Sequence, residues 1–354
     1  VSKTSHKRKQ RSDIRGVKKE EFKSIELFAV AGGLALGLES AGFKHIGLIE
    51  FDKNAASTLK HNRPNWNVIC DDIKNIAEEN LEKKFNIKKF ELDLISGGAP
   101  CQSFSYAGKR LGLNDVRGTL FYYYATFLNK LQPKMFLFEN VKGLLGHDKG
   151  KTFKTICNVF EEQGFKISYE ILNAVDYDVA QKRERLIIIG IRKDLHIKFT
   201  FPKKSLKKLT LKDILSDVPI SEGAKYSKAK EKIFSLVPPG GYWKDIDPNI
   251  AKDYMKTCWN MGGGRTGILR RLSLNEPSLT ILTMPQMKQT DRCHPLEVRP
   301  FNIRESARIQ SFPDNWEFIG TLASKYRQIG NAVPCNLAKA IGSEIINSLK
   351  GLTK

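Results

Sequence analysis

The residue that points most directly to chemistry is a cysteine that follows an apolar segment. Residues 93–102 have the sequence DLISGGAPCQ, which is typical of a buried strand that runs into a loop containing glycine and proline. The loop carries Cys101, and its neighbours are Pro100, Gln102, Ser103 and Ser105. A free cysteine is most often a small buried hydrophobic residue, but this loop is too polar to favour that interpretation. We therefore favour a nucleophilic thiol.

A carboxylic acid and two arginines follow in comparable positions. Glu139 ends the apolar segment FLFENV of residues 136–141, where an acid would be available as a proton donor. Arg183 and Arg185 alternate in residues 181–185, QKRER, so an extended chain would place them on one side. A salt-bridged surface is the alternative for the arginines. The upstream Cys101 and Glu139 favour a functional role.

A glycine-containing turn and two acids suggest a site for a nucleotide-like ligand. Residues 28–33, FAVAGG, join the first predicted strand to the first predicted helix, where a doubly wound sheet binds such ligands. A tight connection without a ligand would look similar. Glu50 ends the second predicted strand and could accept both ribose hydroxyls, and Phe51 could stack on adenine. Asp72, after a third apolar segment, could accept the adenine amino group. Together they favour an adenosine-containing cofactor.

The elements that would position these residues form an α/β pattern. Strands are predicted at residues 25–30, 46–50, 92–96, 135–139 and 186–191, with a helix ending near residue 42 and a last helix at 337–349. The last two strands are almost continuously apolar, which is typical of strands buried on both faces in a parallel sheet. We expect a doubly wound, mostly parallel sheet.

Composition restricts the partners and the compartment. The 354 residues contain 59 Lys and Arg against 38 Asp and Glu, a net charge of +21, which favours a polyanion such as nucleic acid. The six cysteines show no CxxC pair, so we expect a reducing compartment and no metal site, and Cys293-His294 lacks a second ligand pair. Neither a signal peptide nor an apolar run near eighteen residues is present, so we expect a cytoplasmic protein without a membrane partner.

Five motifs in this order resemble the DNA cytosine 5-methyltransferase family over residues 24–349. They are the turn at 28–33, Pro100-Cys101-Gln102, Glu139-Asn140-Val141, Gln181-x-Arg183-x-Arg185 and Gly330-Asn331-Ala332-Val333-Pro334. The resemblance implies the sheet of the S-adenosylmethionine-dependent methyltransferases with a smaller, irregular target-recognition domain. It also implies methylation of carbon 5 of a cytosine within a short specific sequence of double-stranded DNA.

The family mechanism assigns roles to the chemical residues. Cys101 would add to carbon 6 of a flipped-out cytosine, Glu139 would protonate ring nitrogen 3, and Asn140 would help to position the acid. Arg183 and Arg185 would bind the base carbonyl and a neighbouring phosphate, and would favour the thiolate. S-adenosylmethionine would supply the methyl group and leave as S-adenosylhomocysteine. We name no residue as the base that removes the carbon 5 proton.

The resemblance also implies two sets of binding residues. Those for the cofactor are Phe28, Ala29, Gly32, Gly33, Glu50, Phe51, Asp72, Ile73, Pro100, Asn331 and Val333. Those for DNA are Gln102, Ser103, Ser105, Arg110, Arg265, Arg270, Arg271 and Thr280. The glycine run 262–264 would permit close approach to DNA, although an ordinary flexible loop is an equal alternative.

The predicted domains follow the change in sequence character after residue 200. Residues 1–22 form a basic N-terminal arm, residues 23–200 with 320–350 the catalytic and cofactor-binding domain, 201–300 the target-recognition domain and 301–319 a hinge. The chain departs from the family pattern at Val30, where glycine is usual, and at Ala99 and Ala180, where proline is common. A branched side chain disfavours positive φ, so we expect a reshaped turn at Val30. The catalytic residues are intact, and we expect an active enzyme.

Other functions remain as alternatives. A transfer-RNA cytosine 5-methyltransferase could use the same scaffold, although the basic segment 205–300 favours duplex DNA. A sequence-specific DNA-binding protein without catalysis would not need Cys101. A methyltransferase for exocyclic amino groups would need an Asp-Pro-Pro-aromatic loop, which is absent, and a nicotinamide dehydrogenase would leave Cys101 and Glu139 unexplained. By analogy we expect a bacterial, nucleoid-associated monomer with a restriction endonuclease as its genetic partner.

Overall fold

The computed structural model describes residues 21–99, 119–260 and 265–352. The strands are β1 (Phe22–Leu27), β2 (Phe43–Glu50), β3 (Val68–Cys70), β4 (Leu94–Gly97), β5 (Met135–Val141), β6 (Phe165–Asn173), β7 (Gln181–Lys182), β8 (Glu184–Arg192) and β9 (Ser278–Leu279). The larger helices are α1 (Gly33–Ala41), α2 (Lys53–Asn62), α5 (Leu120–Leu131), α6 (Lys151–Glu162), α11 (Leu322–Asn331) and α12 (Cys335–Lys350). The shorter helices are α3 (Ile73–Glu78), α4 (Leu81–Phe85), α7 (Leu211–Ile214), α8 (Lys228–Phe234), α9 (Pro248–Met255) and α10 (Ile303–Ile309).

Seven strands form one sheet in the order β3-β2-β1-β4-β5-β8-β6. The pairs from β3 to β5 are parallel, whereas β8 is antiparallel to both β5 and β6. The predicted doubly wound, mostly parallel sheet is confirmed. The parallel direction predicted for residues 186–191 is wrong. A continuous apolar run indicates only that both faces of a strand are buried, and β8 meets this condition as an antiparallel strand because hydrophobic clusters cover it on both faces of the sheet.

The two faces of the sheet are covered by different helices. Phe136 and Phe138 of β5 point towards α3, α5 and α6. Met135 and Leu137 point to the other face, where α1 and α12 pack. This alternation along β5 is the period of two expected for a strand. Gly37 of α1 lies so close to α12 that an added β-carbon would be 2.4 Å from the Ala338 β-carbon, and this contact fixes the C-terminal helix beside the first helix.

The sequence analysis does not predict two strands of the seven-stranded sheet, β3 and β6. The three residues of β3 are too few to give a pattern. The nine residues of β6, FKISYEILN, are rich in β-branched and aromatic residues, and this signal was present but was not used. As an edge strand, β6 leaves much of its surface exposed, including 53% of Tyr169.

Residues 226–293, called the small region from here on, have a hydrophobic cluster of their own. Its buried members are Tyr226, Phe234, Val237, Trp243, Ile246, Ala251, Met255, Ile268, Leu269 and Cys293. The region contains few regular elements, and its one strand pair with the rest of the chain is β7 with β9. Leu211, Leu272 and Ile281 belong to a different cluster that includes α10 and Trp316. The domain boundaries predicted from sequence remain a proposal.

No helix in residues 21–99, 119–260 or 265–352 is long and apolar enough to cross a membrane. Nearly all of the predicted basic arm lies in residues 1–20, outside the described part of the chain.

Candidate active site

The turn between β1 and α1 has three residues in the left-handed region. Phe28, Val30 and Gly32 have φ of 59°, 50° and 82°. The turn is closed by the Gly32 amide, which donates to the Ala29 carbonyl at 2.9 Å, and by the Ala29 amide, which donates to the Ile49 carbonyl of β2 at 3.1 Å. Val30 therefore adopts a positive φ, which its branched side chain disfavours.

This backbone strain gives a test that separates conformation from packing. Both Val30→Ala and Val30→Gly lose the packing of the valine side chain, but only glycine adopts φ of 50° without strain. We expect Val30→Gly to be more stable than Val30→Ala by about 1 kcal/mol in the free energy of unfolding. Chemical denaturation of the two variants measures the difference. A more stable alanine variant would contradict the strained turn.

Glu50 ties the end of β2 to this turn. Its Oε2 accepts the Val30 amide at 2.7 Å and its Oε1 accepts the Asp52 amide at 2.7 Å. Burial raises the pKa of the Glu50 carboxyl, while these two amides act in the opposite direction. Each oxygen has a second lone pair, so the predicted acceptance of ribose hydroxyls is compatible with these bonds.

The residues after β2 and β3 lie at the same edge of the sheet. The Phe51 ring is 73% exposed, so it is available for stacking. Asp72 caps α3, with its Oδ1 accepting the Lys74 amide at 2.9 Å, and the adjacent Ile73 is buried. These positions fit an adenosine moiety between a stacking ring and polar acceptors. Their role in cofactor binding stays a prediction.

The strand that leads to the cysteine loop is packed tightly at its end. A β-carbon on Gly97, whose φ is 143°, would lie 2.1 Å from the Leu27 carbonyl oxygen of β1. On Gly98 it would lie 2.6 Å from the Glu139 carbonyl oxygen and 2.8 Å from Glu139 Oε2. Asn140 Nδ2 donates to the Ala99 carbonyl at 2.9 Å. The chain is therefore held against Glu139 and Asn140 up to residue 99.

The predicted nucleophile itself lies beyond this point. Cys101 and Pro100 are outside the described residues, as are the predicted DNA contacts Gln102, Ser103, Ser105 and Arg110. Ala99 is two residues before Cys101. Its carbonyl is bound by Asn140, which is next to the predicted acid Glu139 in the chain.

Glu139 and Arg185 form an ion pair at the end of β5. Arg185 Nε lies 2.9 Å from Glu139 Oε1, and the two side chains are 13% and 15% exposed. β5 and β8 pair Val141 with Arg185 and Asn140 with Leu186, so the antiparallel register brings the acid and the arginine together. Partial burial makes this pair worth more than a surface ion pair.

Arg183 is on the same side as Arg185, as predicted, but it is buried more deeply. Gln181 and Arg183 are buried and Arg185 is largely so, whereas Lys182 and Glu184 between them are exposed. Arg183 Nη2 donates to the carbonyls of Gly330 at 2.9 Å and Ala332 at 3.1 Å. Burial, and then the charge of Arg185, lower the pKa of Arg183 to about 9. The side chain therefore supports the segment 330–332, and its Nε has no hydrogen-bond partner among residues 21–99, 119–260 and 265–352.

That segment also contacts the cofactor turn. A β-carbon on Gly33, the first residue of α1, would lie 2.2 Å from the Val333 carbonyl oxygen. Val333 is buried at 9% exposure, and Asn331 is exposed. The structure thus brings the predicted cofactor residue Val333 to the turn at Gly33, and it brings Arg183 to the same segment.

The predicted DNA contacts of the small region have different surroundings. Arg265 lies with its guanidinium carbon 5.0 Å from the centre of the Trp243 ring and 5.9 Å from that of Trp259, and its Nη1 donates to the Trp259 carbonyl. Arg270 stacks on Tyr242 at 4.4 Å and is half-buried. Thr280 Oγ1 donates to the Lys182 carbonyl at 2.8 Å, beside the arginine motif.

Arg271 makes three hydrogen bonds to backbone carbonyls. Its Nε, Nη1 and Nη2 donate to Pro295, Val237 and Leu296 at 3.1, 3.0 and 3.2 Å. This use of the guanidinium favours a role in folding the small region over a role in reading DNA. The sequence gives no warning of it, because the three acceptors are backbone atoms distant along the chain.

This arrangement predicts the effect of Arg271→Gln. We expect the free energy of unfolding to fall by roughly 2 kcal/mol, because several carbonyls lose charged donors. We expect the salt dependence of DNA binding to stay unchanged, because no phosphate contact is removed. Denaturation and binding titrations at several salt concentrations measure the two quantities. A salt slope reduced by about 1 without loss of stability would instead identify a phosphate contact.

The sequence analysis assigns no role to Glu26 or Gln310, and both are buried polar residues. Glu26 of β1 is 1% exposed, and its pKa is raised well above the ordinary value by burial, while hydrogen bonds from the Ala35 backbone and Ser96 lower it. An acid inside a strand pattern just before a glycine-containing turn was the available signal. Gln310, like Gln181, is buried at 0% exposure. Gln310 lies in residues 301–319, for which the sequence predicts only a hinge.

Cys293 and His294 have ordinary structural contacts. Cys293 is fully buried and its thiol donates to the Glu297 carbonyl at 3.6 Å. His294 Nδ1 accepts the amides of Leu296 and Glu297 at 3.3 and 3.2 Å. One nitrogen of this histidine is therefore occupied by the backbone.

The seven-stranded, mostly parallel sheet agrees with the predicted methyltransferase-type α/β fold. The model of the C-5 cytosine-specific DNA methylases matches residues 22–347. The chain belongs to this family and is a DNA cytosine-5 methyltransferase.

Individual relatives agree with this assignment. The chain is 54% identical over 342 residues to the Type II methyltransferase M.Sau96I of Staphylococcus aureus, covering 95% of this chain and 79% of the relative. It is 52% identical over 343 residues to M.PspPI of a Psychrobacter strain, covering 94% and 81%. The crystal structure of a DNMT2 mutant from Spodoptera frugiperda superposes with a TM-score of 0.63 at 20% identity, covering 92% and 99%, and this likeness concerns the fold.

Proposed function

We propose that the protein methylates carbon 5 of a cytosine within a short specific duplex DNA sequence, with S-adenosylmethionine as methyl donor. The observation that carries the proposal is the convergence at the ends of β4 and β5. Glu139 is paired with Arg185 at 2.9 Å, and the chain two residues before Cys101 is held by Asn140. Cys101 as nucleophile and Glu139 as acid would thereby both face the target cytosine.

The proposed cofactor site lies at the turn between β1 and α1 and at the ends of β2 and β3. Glu50 and the exposed Phe51 would hold the adenosine, with Asp72 and Ile73 beyond β3, and Gly33 admits the Val333 carbonyl at the start of α1. The family supports a methyl donor of this class. When bound, S-adenosylmethionine supplies an electrophilic methyl group to carbon 5.

The chain's own residues activate the base. The Cys101 thiolate forms a bond to carbon 6. The ring double bond then shifts, so that electron density reaches nitrogen 3, which takes a proton from the neutral form of Glu139, whose Oε1 can still accept the Arg185 Nε–H. Carbon 5 is then part of an electron-rich enamine. Arg185 fixes the Glu139 carboxyl in place, and Arg183 holds the adjacent segment 330–332. After methylation a base, for which we name no residue, takes the carbon 5 proton, the bond between carbon 6 and the Cys101 sulfur breaks to release the thiolate, and nitrogen 3 returns its proton to Glu139.

The biological assignment follows the relatives. Three of them, each at 49% identity or more, are named Type II methyltransferases, and we propose that this protein is likewise a Type II modification enzyme with a restriction endonuclease as genetic partner. We further propose a monomer that acts on DNA in the bacterial cytoplasm. The net charge of +21 supports a polyanionic substrate.

The test is transfer of tritium from labelled S-adenosylmethionine to nucleic acid. We expect 5-methylcytosine in duplex DNA at one sequence, with no label in transfer RNA offered at equal concentration. Label in the RNA alone would identify the transfer-RNA alternative. Binding to one DNA sequence without label would identify a DNA-binding protein without catalysis.

A further inference from the structure

Two fully buried glutamines join three parts of the chain beside the active site. Gln181 Nε2 donates to Gln310 Oε1 at 2.9 Å, and Gln310 Nε2 donates to the carbonyls of Ile329 at 2.7 Å and Ala332 at 3.1 Å. Both glutamines are 0% exposed. Leaving a buried amide unpaired is costly, so the two side chains are held in one arrangement.

Gln310 and Arg183, a residue of the predicted catalytic motif, bind the same backbone carbonyl. The Ala332 carbonyl accepts Arg183 Nη2 at 3.1 Å as well as Gln310 Nε2 at 3.1 Å, and Arg183 also binds the Gly330 carbonyl. The carbonyls on either side of Asn331 are therefore fixed by side chains from two other segments. Movement of the Ala332 carbonyl would move the guanidinium of Arg183 with it.

The same glutamine pair reaches the small region. The Ile281 amide donates to Gln181 Oε1 at 3.0 Å. A β-carbon on Gly330 would lie 2.7 Å from the Leu282 carbonyl carbon and the Thr283 nitrogen, so the two backbones touch. The network thus connects the region that we predict to bind DNA with the segment that supports Arg183.

We propose that Gln310 is a positioning residue for methyl transfer: through the Ala332 carbonyl it sets the placement of Arg183 and Asn331, and through Gln181 it couples that placement to residues 281–283. The inference rests on the proposed function. It assigns Gln310 no contact with the base or the cofactor. Its effect on the reaction is carried by Arg183.

The test compares two buried glutamines of similar hydrogen bonding. Gln310→Met keeps the side-chain length and removes the donors and the acceptor. Gln328→Met is the matched control, because Gln328 is 3% exposed and binds Thr58 Oγ1, the Ile319 carbonyl and Ser324 Oγ at 2.7, 2.8 and 3.2 Å, away from Arg183. Both variants should lose thermal stability.

The kinetic parameters separate positioning from stability. For Gln310→Met we expect kcat, per folded enzyme, to fall about 10- to 100-fold with KM for DNA changed less than about threefold, because a misplaced group impairs the transition state more than binding. For Gln328→Met we expect kcat within about twofold of the wild type. A Gln310→Met enzyme with wild-type kcat and lowered stability would overturn the proposal.

A second variant covers the case in which Gln310→Met does not fold. Gln181→Met leaves the bonds from Gln310 to Ile329 and Ala332 in place and should lower kcat less, about several-fold. The double variant should be no slower than Gln310→Met, because the two act in one network. An unchanged kcat in Gln181→Met would overturn the coupling to residues 281–283 and, if Gln310→Met does not fold, the whole proposal. A wild-type enzyme that transfers no methyl group would instead contradict the proposed function.

Discussion

Glu139→Gln should lower kcat by roughly 10²- to 10⁴-fold, the range for loss of a positioned proton donor. The amide has nearly the shape of the acid, so the packing against Gly98 is retained. It cannot give a proton to ring nitrogen 3, however, and it cannot form an ion pair with Arg185, which now lies 2.9 Å from Oε1. Addition of the thiolate to the base would then leave negative charge at ring nitrogen 3 that no proton neutralises. Steady-state methyl transfer to duplex DNA measures the loss.

Glu184→Gln is the matched control for this variant. Glu184 lies on the same pair of strands, next to Arg185, but it is exposed and pairs with Lys142 at 3.0 Å. An exposed pair contributes little, so we expect near wild-type kcat. If Glu139→Gln and Glu184→Gln behaved alike, the acid assignment would be wrong.

Gly98→Ala should be strongly damaging, although it adds a single carbon near the site. The added β-carbon would lie 2.6 Å from the Glu139 carbonyl oxygen and 2.8 Å from Oε2. The backbone can relieve such a contact only if the ends of β4 and β5 move apart. Since a displacement of about 1 Å can cost 100-fold in rate, we expect kcat to fall about 100-fold, with about 1–3 kcal/mol lost from the free energy of unfolding.

The control for crowding is Gly143→Ala. Gly143 follows β5, but no atom of the described residues, apart from its own neighbours along the chain, lies within 4 Å of where its β-carbon would be. We expect activity close to that of the wild type. Equal losses in the two alanine variants would mean that the segment tolerates no glycine replacement, and the specific contact with Glu139 would not be the cause.

The sheet could be predicted from the sequence because burial leaves a pattern in it. Phe136 to Phe138 and Leu186 to Ile191 are apolar and are fully or largely buried. Strand direction leaves no such pattern, and the antiparallel course of β8 was therefore missed. The helix predicted at 337–349 is confirmed within α12, where its buried residues follow the helical spacing.

Residues of the site could be predicted where their type is unusual for the strand that carries them. Glu139 at the end of an apolar strand and the alternating Arg183 and Arg185 stood out in this way. The contacts of Arg271 and Gln310 could not be read from sequence, because their partners are backbone carbonyls brought close by the fold. Arginines of the small region look alike in sequence, whether they bind DNA or the chain itself.

The central claim is that Cys101 attacks the base that receives the methyl group. Tritiated S-adenosylmethionine and duplex DNA containing 5-fluorocytosine test it, because the fluorine cannot leave as a proton does and the covalent intermediate is trapped. We expect a labelled protein–DNA adduct that survives denaturation and is absent with Cys101→Ser. A wild-type enzyme that methylates DNA without forming the adduct, or an adduct that persists in Cys101→Ser, would contradict the account.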